Sequence, residues 1–444
     1  MDSTKISVFT FIFLSFSASM FAQAVVPQNE TFTIVNEGEI GPFIVEYDGS
    51  YRALSVFNAP FQLAFYNTTP NAYTLALRMG LTRSESLFRW VWEANRGNPV
   101  GENATFSFGT DGNLVLADAD GRIAWQTNTA NKGVVAFRLL SNGNMVLLDS
   151  KGKFVWQSFD HPTDTLLVGQ SLRISGPSKL VSRASEAQNI DGPYNLVLEP
   201  KGISLYYKSE NSLRPILYFF STDLFGITQG TIQSVTLTAN VDKDQGDATD
   251  LSLDLSLVNT TNSGGRILSR PKYNSTLTFL RLGIDGNVKL YTYNDKVDIG
   301  AWEVTFTLFD RDSSIETECQ LPSRCGEFGL CEDNQCVACP LSNGLVGWSK
   351  DCKPEALTSL GAKDFHYYKV EGVEHFMSKY TRGSAVSESE CGNKCTKDSK
   401  CLGYFYHNDK SRCWIAYELK TLTKVENSSH VAFIKVSNSL IKEA

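Results

Sequence analysis

No cysteine occurs in the first 318 residues, whereas all ten lie between Cys319 and Cys413. That partition separates a disulfide-free part of the chain from a stapled one. The sequence contains no G-x-S-x-G, H-E-x-x-H or G-x-x-x-x-G-K-[ST], and no G-x-G-x-x-G opening a helix. The local signatures of the common hydrolases, zinc proteases and nucleotide binders are therefore missing. Beyond the N-terminus no apolar segment approaches the ~20 residues of a membrane-spanning helix. Residues 437–444 carry neither a hydrophobic lipid-anchor signal nor a retention tetrapeptide. A strong excess of one charge is also absent: 41 Lys+Arg against 48 Asp+Glu give −7. Mild acidity argues against phosphate-backbone binding, so nucleic acid is not an expected partner.

What is present is globular. Over 444 residues, 42% hydrophobic and 20% charged, the chain is long enough for two to four domains. Lys5, the apolar stretch from Ile6 to Phe16 and the triplet Ala22-Gln23-Ala24 have the layout of a cleaved secretory leader over residues 1–24. Six N-x-[ST] acceptors agree with export, at Asn29, Asn67, Asn103, Asn259, Asn274 and Asn427. The mature protein is expected to be soluble, secreted and glycosylated, without a membrane span.

An internal repeat organises the cysteine-free part. Asp111-Gly112-Asn113-Leu114-Val115-Leu116 returns as Asn142-Gly143-Asn144-Met145-Val146-Leu147. In each copy a later Gly (Gly121, Gly152) and a Trp-Gln pair (Trp125-Gln126, Trp156-Gln157) keep the same spacing. Short apolar segments between Gly/Asn/Asp turns read as antiparallel strands. A unit this short cannot bury its own apolar face, so units must close around a shared core, where the matching Trp side chains fit.

Three ordered strings, Trp90 to Pro99, Asp111 to Leu116 and Trp156 to Leu167, resemble the bulb-type mannose-binding lectin domain of plant lectins and S-locus receptor ectodomains. The resemblance implies a β-prism of three four-stranded sheets over residues 25–170. It also implies a sugar pocket written Q-x-D-x-N-x-V-x-Y along one strand, where a period of two turns all five side chains to one face. Here Asp111, Asn113 and Val115 match, while Gly109 and Ala117 stand at the Gln and Tyr positions. The second copy keeps Asn144 and Val146. The competing reading is that D/N-G-N supplies turn chemistry only, because Asn, Asp and Gly tolerate the left-handed backbone.

Residues 171–316 stay strand-rich and carry a third turn, Asp285-Gly286-Asn287, followed by Tyr291. Asp285, Asn287 and Tyr291 match the pocket pattern in what reads as a second, diverged lectin-like domain. The acidic stretch Asp242 to Asp250 reads as a solvated loop rather than a metal site.

Six cysteines around Cys325-Gly326-Glu327-Phe328-Gly329-Leu330-Cys331 resemble the EGF-like module of S-locus ectodomains, here over 317–353. The resemblance implies Cys319 with Cys331, Cys325 with Cys336, and Cys339 with Cys352; sequence alone allows 15 pairings. Cys336-Val337-Ala338-Cys339 is an alternative start of a zinc site, but no second C-x-x-C or His pair follows. In the last segment, 354–440, Ser387 and Glu390 form an S-x-x-E capping box for a helix that puts Cys391 and Cys395 on one face. This segment resembles a PAN/apple domain, which implies the pairs Cys391 with Cys413 and Cys395 with Cys401.

The expected fold class is mainly β: tandem β-prism domains, then a disulfide-rich EGF-like module and a small α+β PAN/apple domain. Asp160-His161-Pro162-Thr163-Asp164 is the one acid–histidine cluster, and Pro162 marks it as a turn. The expected function is a non-catalytic, mannose-type lectin-like glycoprotein of the plant cell wall or apoplast, with no cofactor and no metal. Its expected partners are mannose-type glycans or glycoproteins, bound weakly per site and strengthened by multivalency. The alternative is a soluble receptor-ectodomain-like protein that binds other proteins, through the PAN segment among others, with degenerate sugar pockets.

Overall fold

The computed structural model describes residues 25–43, 45–81, 88–221, 230–241, 249–258, 263–313, 315–355 and 365–438. The leader 1–24, the acceptor Asn259 and positions 242–248 of the acidic stretch lie outside the described residues. Strands dominate, and Glu388–Lys397 is the one α-helix among the described residues.

The strands form because apolar side chains alternate with polar ones and Gly/Asn/Asp turns separate them. In Thr105–Phe108 and Leu114–Ala117 every second residue is buried, which puts Phe106, Phe108, Leu114 and Leu116 into one core. The first unit closes three antiparallel sheets around that core. One runs Ser50–Asn58, Phe61–Asn67, Thr74–Met79, Arg89–Glu93; a second runs Phe32–Val35, Thr105–Phe108, Leu114–Ala117, Ile123–Gln126; the third holds Phe154–Gln157, Met145–Asp149 and Val134–Leu139.

The second unit has three four-stranded sheets, and one of them takes a strand from the first unit's sequence. Thr165–Leu167 pairs antiparallel with Thr278–Leu282. A division at residue 170 therefore cuts a continuous sheet, and Phe279 of the later strand is buried in the first unit's core.

A buried polar seam joins the two units. Arg281, 4% exposed, donates to Glu46 Oε1 at 2.6 Å, to the Trp90 carbonyl and to Thr165 Oγ1. Arg89 shares Glu46 Oε1 at 2.9 Å. Arg183, 1% exposed, donates to the Tyr66 hydroxyl at 2.6 Å and faces Glu93 at 3.5 Å, while the Tyr66 hydroxyl itself hydrogen-bonds Glu93. Arg96 links Glu93 at 2.5 Å to Asp164 at 3.1 Å. Isolated ions are not tolerated in such a place, so each guanidinium needs its carboxylate and each carboxylate its guanidinium.

The cysteine-rich part forms two five-stranded sheets. Five disulfides join Cys319 to Cys331, Cys325 to Cys336, Cys339 to Cys352, Cys391 to Cys413 and Cys395 to Cys401. The Glu390 amide donates to Ser387 Oγ at the helix N-terminus, 3.2 Å away. Buried Cys391 and Cys395 face the strand pair Gly403–His407 and Arg412–Ala416. Phe328–Glu332 pairs in parallel with Lys420–Lys424, which pairs antiparallel with Val373–His375. The division expected at residue 353 thus also crosses one sheet.

Two outcomes follow from the seam. Arg281→Met removes one of the two guanidiniums on Glu46, leaving Arg89, and is expected to cost about 2 kcal/mol in urea unfolding, the range for a lost hydrogen bond to a charged group; a cost below about 1 kcal/mol would show the seam to be dispensable. Burial pushes the Asp164 carboxyl up, but Arg96 and Arg281 outweigh it and hold its pKa below the ordinary carboxylate value. A depressed carboxylate contributes stability in full above its unfolded pKa, near 4, and loses it as pH falls through the folded value. Asp164→Asn is expected to lower stability at neutral pH and to flatten the acid limb of the pH–stability curve measured by thermal melting.

Candidate functional site

Each D/N-G-N element is a tight turn between two strands, built the same way three times. The Gly112 amide donates to the Gly109 carbonyl, Gly143 to Leu140, and Gly286 to Gly283, all at 3.0 Å. The central glycines have φ of 81°, 84° and 79°. A Cβ at Gly112 would sit 2.7 Å from the Val134 side chain, and one at Gly286 2.7 Å from the Tyr194 ring. Glycine is required there for its backbone and its size.

The flanking polar residues serve the same turns. Asp111 Oδ1 accepts from the Asn113 amide at 3.1 Å. Asn113 is 6% exposed; its Nδ2 donates to Gln126 Oε1 at 2.9 Å, and its Oδ1 accepts from Thr127 Oγ1 and the Thr129 amide. The second copy repeats this: Asn142 accepts from the Asn144 amide, and Asn144 donates to Gln157 and accepts from the Phe159 amide. In the third, Asp285 Oδ1 accepts from the Asn287 amide while Oδ2 meets Lys289 Nζ at 3.1 Å. Asn287 clamps both backbone groups of Phe309. Tyr291 stacks on Phe279, with centroids 5.1 Å apart, under the guanidiniums of Arg89 and Arg281.

These contacts tie most of the polar groups of the expected cradle into the turns. Asn113, Asn144 and Asn287 are turned inward by the segments that cover them, and Tyr291 belongs to the seam. Val115 is half-buried on the outer side of its strand, and Asp111 keeps an exposed carboxylate with one oxygen in the turn. The sign in the sequence was the Trp-Gln pair: its Gln is the amide partner of the turn Asn in both copies.

The same Trp-Gln pairs build a different feature. Trp92, Trp125 and Trp156 come one from each sheet of the first unit and meet nearly perpendicular, with centroids 5.8, 6.4 and 5.9 Å apart. Trp92 is buried and donates its Nε1–H to the His161 carbonyl; Trp125 and Trp156 are half-buried. His161 stacks on Trp156 at 5.5 Å, and loss of water from that face lowers its pKa below the usual histidine value, with Asp160 opposing.

Above this trimer lies a cleft of ≈ 500 Å³, walled by Trp125 and Trp156 and rimmed by Gln126, Asn128, Thr163 and Asp191. Gln126 uses its oxygen for Asn113, and its Nε2 makes no hydrogen bond to the described residues. The Asp191 side chain is 71% exposed. Arg96 forms part of the floor; although burial opposes its charge, Glu93 and Asp164 keep it protonated, above its ordinary value. Flat aromatic faces beside amide and carboxylate groups suit a ligand with an apolar ring face and a hydroxylated edge. Of the acceptor asparagines described, Asn29, Asn103, Asn274 and Asn427 are exposed and Asn67 is half-buried.

Residues 89–186, which contain the Trp trimer and both turn repeats, match the model of the D-mannose binding lectin family. EP1-like glycoprotein 3 of Arabidopsis thaliana is 52% identical, over 96% of this chain and 97% of its own. The epidermis-specific secreted glycoprotein EP1 of Daucus carota is 60% identical over 79% of this chain and 94% of its own. A G-type lectin S-receptor-like serine/threonine-protein kinase of Arabidopsis thaliana, SD2-2, is 27% identical over 83% of this chain but only 45% of its own length. With half its residues shared along nearly its whole length, the chain belongs to the EP1-like family of epidermis-specific secreted glycoproteins.

Proposed function

We propose that this glycoprotein is secreted to the cell wall or apoplast and there binds mannose-type glycans without catalysis. The observation that carries the reading is the Trp125/Trp156 cleft, which lies within the stretch matching the mannose-binding lectin model. A pyranose ring would lie on an indole face while its hydroxyls meet Gln126 Nε2 and the Asp191 carboxylate. Few polar groups converge there, so each site is weak and relies on arrays of glycans on wall polymers or glycoproteins. The turn residues Asp111, Asn113, Asn144, Asp285 and Asn287 act in this reading as fold determinants.

A second reading has one observation in its favour. The amides at the family's sugar positions are spent internally, which suits a chain that recognises proteins, with its PAN-like segment as one contact surface.

Retention of the secreted protein on a high-mannose column, with a glycan array beside it, separates the two. Trp125→Leu and Asp191→Ala are expected to reduce retention about tenfold each, the effect of losing roughly 1.4 kcal/mol. Asp111→Ala is expected to leave retention intact while lowering stability by about 1 kcal/mol for its turn hydrogen bond. Lost retention in Asp111→Ala with unchanged binding in Trp125→Leu would return the site to the ribbon. No glycan signal from the wild-type protein would leave the protein-binding reading standing.

A further inference from the structure

Glu374, His407 and His430 converge in the cysteine-rich part from three strands: Val373–His375, Gly403–His407 and His430–Ser437. One donor atom of each lies within 4.8 Å of the others. The histidines are cross-strand neighbours in one sheet, whereas Glu374 belongs to the other. Gly372 donates its amide to the His430 carbonyl at 2.8 Å, which fixes the incoming strand so that Glu374 faces the pair.

The rings of His407 and His430 stack face to face at 3.5 Å and 3° and are 5% and 7% exposed. His407 Nε2 and His430 Nδ1 are both buried without a hydrogen-bond partner. Glu374 Oε1 lies 2.5 Å from that His430 nitrogen and 3.7 Å from that His407 nitrogen. A proton on His430 Nδ1 pairs it with Glu374, but the desolvated His407 Nε2 still has no close partner, and a cation shared by the three groups satisfies all of them at once. On its far side, His430 Nε2 faces Asp409 Oδ1 at 3.7 Å and Asn427 Nδ2 at 3.2 Å. A carboxylate behind a metal-binding imidazole is the usual outer support.

We propose that Glu374, His407 and His430 bind a divalent first-row transition ion, of which zinc best fits the donors, and that the ion clamps the two cysteine-rich sheets together. Two imidazoles and a carboxylate are a zinc ligand set with a fourth position left for water. Calcium and magnesium, which prefer all-oxygen surroundings, are excluded by the same chemistry. Zinc bonds of about 2.1 Å place ligands roughly 3.3 Å apart, so loading moves the Glu374 carboxylate away from His430, brings it closer to His407 and tilts the ring stack open. The ligands are scattered along the chain, outside any short-spaced motif, so no local pattern marks the site.

The test uses the full secreted chain with its disulfides intact, stripped with EDTA and titrated with zinc alone by calorimetry and thermal melting. One equivalent is expected to bind at micromolar zinc or tighter and to raise the melting temperature, with no response to calcium. Glu374→Gln and His407→Gln are each expected to weaken zinc about tenfold or more, while His366→Gln, at a histidine elsewhere in the same sheet, binds as wild type. Absence of uptake, or Glu374→Gln binding as tightly as wild type, overturns the site. Should both variants misfold, cobalt(II) loaded into the wild-type protein decides: paramagnetically shifted ring resonances from two histidines uphold the site, and their absence overturns it.

Discussion

The two β units hold their relative position through buried charge. Burial of three arginines is tolerable only because carboxylates of the first unit reach them, and for Arg183 and Arg281 that pairing crosses from one unit to the other. Arg281 and Arg183 come from the second unit, and their partners Glu46 and Glu93 from the first. Glu46 and Glu93 each meet two guanidiniums, so the charges form a shared network rather than isolated pairs. The cleft depends on this, since its aromatic wall belongs to the first unit and Asp191 to the second.

The turns show how one set of residue types serves two ends. Asp, Gly and Asn at that spacing can present hydroxyl-binding groups along a strand or can close a bend upon itself. The outcome is decided by a segment a dozen residues further on, which brings Gln126 or Gln157 over the Asn amide. Once that amide is satisfied inside, it is no longer free to meet a ligand.

Much of the fold was legible in the sequence. Alternating apolar residues and repeated turns gave strands, and the matching Trp positions gave the shared centre where Trp92, Trp125 and Trp156 meet. Ser387 and Glu390 marked the start of the helix. The cysteine partition separated the stapled part, although family resemblance rather than spacing supplied a pairing. The site was less legible, because motif reading sees which side chains alternate along a strand but not which later segment covers them. The seam, the cleft and the Glu374–His407–His430 cluster are assembled from residues far apart in the chain, and no local pattern signals them. The strand Thr165–Leu167 illustrates the same gap: its residues belong to the first unit's consensus string yet complete the second unit's sheet.

The parallel pairing of Phe328–Glu332 with Lys420–Lys424 bears on how the molecule is made. Domains tend to fold as they leave the ribosome, N-terminal first. The middle strand of the small cysteine-rich sheet, however, has to wait for a partner translated almost last. Until then the edge of Phe328–Glu332 is open to pairing with another nascent chain. The tail is therefore needed to close this sheet, and a premature stop codon upstream of Lys420 would leave an exposed, aggregation-prone edge rather than a shorter working module.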